Sequence, residues 1–173
     1  MSGPDASEST DLLGIYLNDH YTGSTGGLEL FRRAAKARPD AREAAVLEDL
    51  ARQIEEDRDA LAAIMKTLGI PLSSSKAALG WAAEKAGRLK PNGHLLSRSP
   101  LSDVLEAESM LLGVLGKAAC WRTLRAVAES DERLSAETLD TLLERAEQQS
   151  ATLEELRATT AARTLRPKAA GTR

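Results

Sequence analysis

Apolar residues recur at three- and four-residue steps along four long segments of this chain, the spacing of one face of an α-helix. The clearest segment runs from about Ala41 to Leu68, where Leu47, Leu50, Ile54, Leu61, Ile64 and Leu68 line one side. Asp40 is placed to cap its start, and Gly69 followed by Pro71 to end it. Asp57 and Arg58 fall on or beside its inward face. An earlier helix is predicted from Ser9 or Thr10 to about Arg38, with Leu13, Leu17, Phe31, Ala34 and Ala35 inward and His20 on the same side. Its middle reads Gly23-Ser24-Thr25-Gly26-Gly27, and each glycine inside a helix costs about 1 kcal/mol relative to alanine. Either the helix breaks there or another backbone packs very close.

The third segment runs from Leu101 or Ser102 to about Ser130. Its expected stripe is Leu101, Val104, Leu105, Leu111, Leu112, Leu115, Ala118, Ala119 and Leu124, with Glu108 inside it. A second face holds Gly113, Gly116, Lys117 and Cys120, and small residues at this spacing permit close approach of another helix. The fourth helix is announced by Ser135-Ala136-Glu137 and turns Leu139, Leu142, Leu143, Ala146, Leu153 and Leu156 inward. Gln149 and Ser150 fill the gap between Ala146 and Leu153. Pro71 to Pro100 is too long for a tight helical hairpin. It is expected to hold a short helix, about Ser75 to Leu89, and then a basic, turn-rich stretch. The outline is an all-α bundle of four helices with a long second-to-third connection, a crossover.

Composition agrees with this outline. Aromatic residues are only 3% and strand-favouring types are scarce, whereas the helix formers Ala, Leu, Glu and Arg dominate, so almost no sheet is expected. A length of 173 residues suits a single bundle domain, about residues 10–158, between a disordered lead (1–9) and a flexible basic tail (159–173). The net charge of -3 carries no global signature of nucleic-acid binding. One cysteine, Cys120, excludes an intrachain disulfide and a cysteine-based zinc site and fits a reducing compartment. The first ten residues hold no apolar core of a signal peptide, and no apolar run approaches the roughly 20 residues that span a bilayer. A cytoplasmic protein without membrane partners is expected.

Four helices, a long central connection and a polar residue interrupting each apolar stripe resemble the ferritin-like superfamily. The stretches Glu56-Asp57-Arg58, Trp81-Ala82-Ala83-Glu84-Lys85, Arg98-Ser99-Pro100-Leu101-Ser102, Gly113-Val114-Leu115-Gly116-Lys117 and Trp121-Arg122 also look like a group of actinobacterial ferritin-like proteins of uncharacterised activity. The likeness covers about Leu12 to Arg157. It implies a ferritin-like four-helix bundle. In metal-binding members, Glu-x-x-His pairs on two helices supply ligands from one face. Here Glu55 is followed at that spacing by Arg58, Glu144 by Glu147 and Glu147 by Ser150, so both histidine positions are absent.

The residues that could carry chemistry follow from these patterns. His20, Glu55, Asp57 and Glu108 are the candidates for an iron or manganese site. The competing expectation is a buried polar layer of His20, Asp57, Arg58, Glu108 and Gln149, with Arg58 neutralising Glu108 in place of a metal. An up-down-up-down order would bring these groups to one level, and a crossover would spread them along the bundle. Lys85, Arg88, Lys90, His94 and Arg98 could hold an anion or nucleic acid, but no aromatic residues interleave them, as in a solvated loop. Trp81 and Trp121 are expected as packing anchors and Cys120 as an inert buried thiol. No nucleophile motif or phosphate loop is present. The expected function is therefore a non-enzymatic structural or protein-interaction module without a cofactor. The alternatives are a divergent metal-binding protein and an anion or nucleic-acid binder. Gly23, Gly26, Gly27, Gly113 and Gly116 could serve a helix inside the bundle or the second subunit of a homodimer.

Overall fold

The computed structural model describes residues 6–73 and 99–166. They form four helices: α1 (Ala6–Ala37), α2 (Ala41–Thr67), α3 (Pro100–Val127) and α4 (Ala136–Leu165). No strand occurs among the described residues, and none of the helices is long and apolar enough to cross a membrane. The expected short helix at 75–89 and the basic connector residues Lys85, Arg88, Lys90, His94 and Arg98, with Trp81, lie outside the described residues.

Local chemistry sets the helix ends. The Asp40 carboxylate accepts from the backbone N–H groups of Arg42 (2.8 Å) and Glu43 (3.0 Å), which opens α2. At its other end Gly69 takes φ +73°. The Ile70 N–H then reaches the Met65 carbonyl (2.9 Å) and the Gly69 N–H reaches that of Lys66 (3.1 Å). This pair of bonds is a Schellman motif, which satisfies carbonyls that a helix end leaves open. Ser99 caps α3 with Pro100 in its first turn, and Ser135 caps α4.

Contacts at the two ends fix the topology. Arg38, just past α1, pairs with Asp103 near the start of α3 (3.2 Å), and Arg163 near the end of α4 pairs with Glu43 near the start of α2 (2.7 Å). At the opposite end Asn18 of α1 donates to the Pro71 carbonyl, and Arg133 before α4 donates to the Leu68 carbonyl. The helices thus run up, down, down, up, and the second and third are joined by a crossover of bundle length. α1 packs on α2 and on α3, and α3 on α4, while α2 and α4 touch sparsely. Leu17, Phe31, Leu47, Met65, Met110, Trp121, Leu124 and Leu153 sit in the buried core between them.

Several expectations need correction. The first helix begins at Ala6 and the last continues to Leu165, so both extend into stretches expected to be lead and tail. The glycine-rich middle of α1 does not break, and among the described residues a Cβ at Gly23 or Gly27 would meet nothing within 4 Å. The hydroxyls of Ser24 and Thr25 fold back onto the Tyr21 carbonyl there. The largest correction concerns α3. Val104, Ala107, Met110, Val114, Ala118, Trp121 and Leu124 face the core, whereas Leu101, Leu105, Leu112 and Leu115 face out. This helix is apolar on both sides, so apolar spacing alone could not phase it.

Candidate functional site

The polar groups buried at mid-bundle come from α2, α3 and α4. Asp57 follows Ile54 by three residues and precedes Leu61 by four, so the helical period carries it into the core, where it is 1% exposed. Lys117 is three residues past Val114 and four before Trp121, which aims its stem inward as well. Its ammonium donates to Asp57 Oδ2 and to Gln149 Oε1. Arg145, one turn before Gln149, pairs with the other Asp57 oxygen and reaches Glu56 at 3.2 Å. Gln149 Nε2 donates to Asp57 Oδ2 (3.1 Å) and to Gln53 Oε1 (3.0 Å). One buried carboxylate is therefore held by two cations and an amide. Burial pushes the Lys117 ammonium below its ordinary pKa, the charge and hydrogen bond of Asp57 push back, and Arg145 adds to the lowering.

A cleft of about 430 Å³ between α2 and α4 leads towards this layer, lined by Val46, Asp49, Gln53, Gln148, Gln149 and Thr152 among others. Gln53 and Gln149 form its inner wall, and their amides are already committed to each other and to the charged layer.

The remaining sequence candidates stand elsewhere. His20 is half-buried and packs edge-on against Tyr16, with ring centres 4.6 Å apart. Burial lowers its pKa, and Asp19 partly opposes this. Glu55 accepts from Arg32 (2.8 Å) and ties α2 to α1 at the surface. Glu108 lies on the outward side of α3, its nearest cation being Arg157 at 4.0 Å. Nine residues separate it from Lys117, which is about 13 Å along a helix, so it belongs to a different level. Arg58 pairs with Asp59 (3.1 Å) and Glu55 (3.8 Å), not with Glu108. Of the expected polar layer, the structure joins Asp57 and Gln149 and leaves His20, Arg58 and Glu108 apart. Of the four metal candidates it brings no two together. Among the described residues no group of three or more His, Cys, Asp or Glu side chains could hold a metal ion.

Sequence reasoning missed Lys117 and Arg145 as the cations of the layer. The spacing of Lys117 from Val114, Trp121 and Leu124 was the available signal, hidden by the outward leucines. It also missed a second network at one end of the bundle. There the Arg38 side chain is fully enclosed and meets Asp103 at 3.2 Å and Glu43 at 3.8 Å, while Arg163 closes on Glu43. This end cluster draws one charge from the α1–α2 turn and one from each other helix. Its elements are named by contacts remote in sequence, and nothing local marks Arg38. Comparison with family models, with curated proteins and with solved structures finds no match to this chain.

Proposed function

We propose that the chain is a metal-free, ferritin-like four-helix bundle that serves as a structural or protein-interaction module rather than an enzyme. The observation that carries this reading is the occupancy of Asp57. In a bundle built for a metal, inward carboxylates from several helices converge and leave their oxygens to the ion. Here the carboxylate at mid-bundle, Asp57, has one oxygen held by Lys117 and the other paired with Arg145, with Gln149 alongside. Such a buried charge set adds little net stability but resists any shift of α2 against α3 and α4, since a slip would strand a charge. That property suits a rigid scaffold. The single long crossover joining two parallel helices supports the ferritin-like assignment, as that class of bundle has one such connection. The lone buried cysteine suits a reducing compartment, and the cytoplasm is the location assigned to the module.

Bound metal on protein purified without an affinity tag, measured before and after anaerobic addition of ferrous iron, tests the reading. The expected result is far less than one metal per chain in both samples. Stoichiometric iron that disappears in Asp57→Asn would overturn the proposal and restore a metal-binding role.

A further inference from the structure

The outward side of α3 carries a feature that the bundle itself does not use. Leu101, Leu105, Leu112 and Leu115 are 36%, 38%, 69% and 46% exposed. With Glu108, Ala119, Arg122 and Ala126 they recur at alternating three- and four-residue steps, the repeat of a two-helix seam. A helix apolar on both faces is one that expects cover on both. Leu101 with Leu105 and Leu112 with Leu115 form two outward apolar pairs on one line, with Glu108 between them, rather than scattered exposure.

From this strip we infer that α3 is the seam of a homodimer, in which two copies of the chain pair α3 against α3 in antiparallel fashion about a two-fold axis. The inference deepens the reading of the bundle as an interaction module by naming its partner. Two observations select a second copy. First, the only charges on the strip are Glu108 in its first half and Arg122 in its second. In an antiparallel pair centred between Leu112 and Leu115, Glu108 of each copy lies one layer from Arg122 of the other, giving two opposite-charge pairs by symmetry. A parallel pair would set glutamate against glutamate and arginine against arginine. Second, the same alignment matches sizes. Leu112 faces Leu115 of the other copy, Leu101 faces Ala126, Glu108 faces Ala119, and Leu105 lies along the aliphatic stem of Arg122. Gly113 and Gly116 stand beside the axis, where a Cβ would meet nothing within 4 Å among the described residues. Glu108 is also loosely held in the monomer, 4.0 Å from Arg157, and is free to turn to a partner.

Sedimentation equilibrium of the full chain over a wide concentration range tests the seam. The expected mass is twice 18.5 kDa. Leu112→Arg should return it to a monomer with its helical circular dichroism intact. Glu108→Arg and Arg122→Glu each weaken the dimer by about tenfold or more, and the double swap restores it, because only the sign of each pair has been exchanged. The swaps change exposed residues, so they keep the test open if Leu112→Arg fails to fold. A strict monomer, or a dimer indifferent to all three single changes, overturns the inference. A monomer that Leu112→Arg destabilises would show that residues 74–98 of the same chain cover the strip, which overturns it equally. None of these outcomes touches the metal measurement. Iron binding by a dimer would remove the module reading alone, and a metal-free monomer would remove the seam alone.

Discussion

Cys120 lies inward on α3 and is 1% exposed. Burial in apolar surroundings pushes its thiol up to about 12, because the thiolate would lose its hydration. The reactive thiolate is then scarce at pH 8. Labelling with an aromatic disulfide reagent at that pH should proceed only as fast as the chain opens, and at full speed in denaturant. Immediate labelling of the native protein would show a thiol near the surface. That inertness was legible from sequence, since a lone cysteine among apolar residues has an ordinary reading as a small core side chain. Asp57 was legible too, because an acid in phase with Ile54 and Leu61 has to go inward. Its partners were not. Arg58, the neighbour in sequence, points to Asp59 and the surface, and the cations come from helices 60 and 88 residues away.

Within the elements, glycines separate local from tertiary causes. Gly23 and Gly27 lie inside α1 with open space where a Cβ would go. No described residue approaches them, so Gly23→Ala and Gly27→Ala should each raise stability by about 0.5–1 kcal/mol. Gly69 is the opposite case. Its φ of +73° forms the C-terminal lock of α2, and Gly69→Ala should cost about 1 kcal/mol or more. Urea unfolding of the three variants checks both signs, and a loss at Gly23 would reveal a close neighbour there. Helix positions and caps such as Asp40 were readable, because they depend on residues within a turn of one another. The phase of α3 was not, since leucines occupy both of its sides.

At the scale of the molecule, the charged layer is predicted to act as a register clamp. Asp57→Ala strands the buried ammonium of Lys117 and should cost about 3–5 kcal/mol. Replacing the set together, as Asp57→Leu, Lys117→Met and Gln149→Leu, should recover most of that loss, because no group is then left charged without a partner. Arg145, partly exposed, can turn to solvent and pair with Glu56 alone. Chemical denaturation of the single and triple variants measures the coupling. A loss under about 0.5 kcal/mol in Asp57→Ala would mean that the layer is solvated and clamps nothing.

The sequence by itself determined that this chain is all-α, where its four helices lie, and that Asp57 and Gln149 interrupt their inward stripes. Those properties arise from residue type and from spacing within a few turns, and both can be read along a line. Tertiary structure alone decided the up-down-down-up order, the side of α3 that is buried, and the identity of the cations around Asp57. Each depends on which helices become neighbours, and that choice is made by the summed burial of many side chains rather than by any local signal. The outward leucines of α3 show the difference plainly. Along the line they read as core, and only the packed bundle, having no room for them, turned them into a surface.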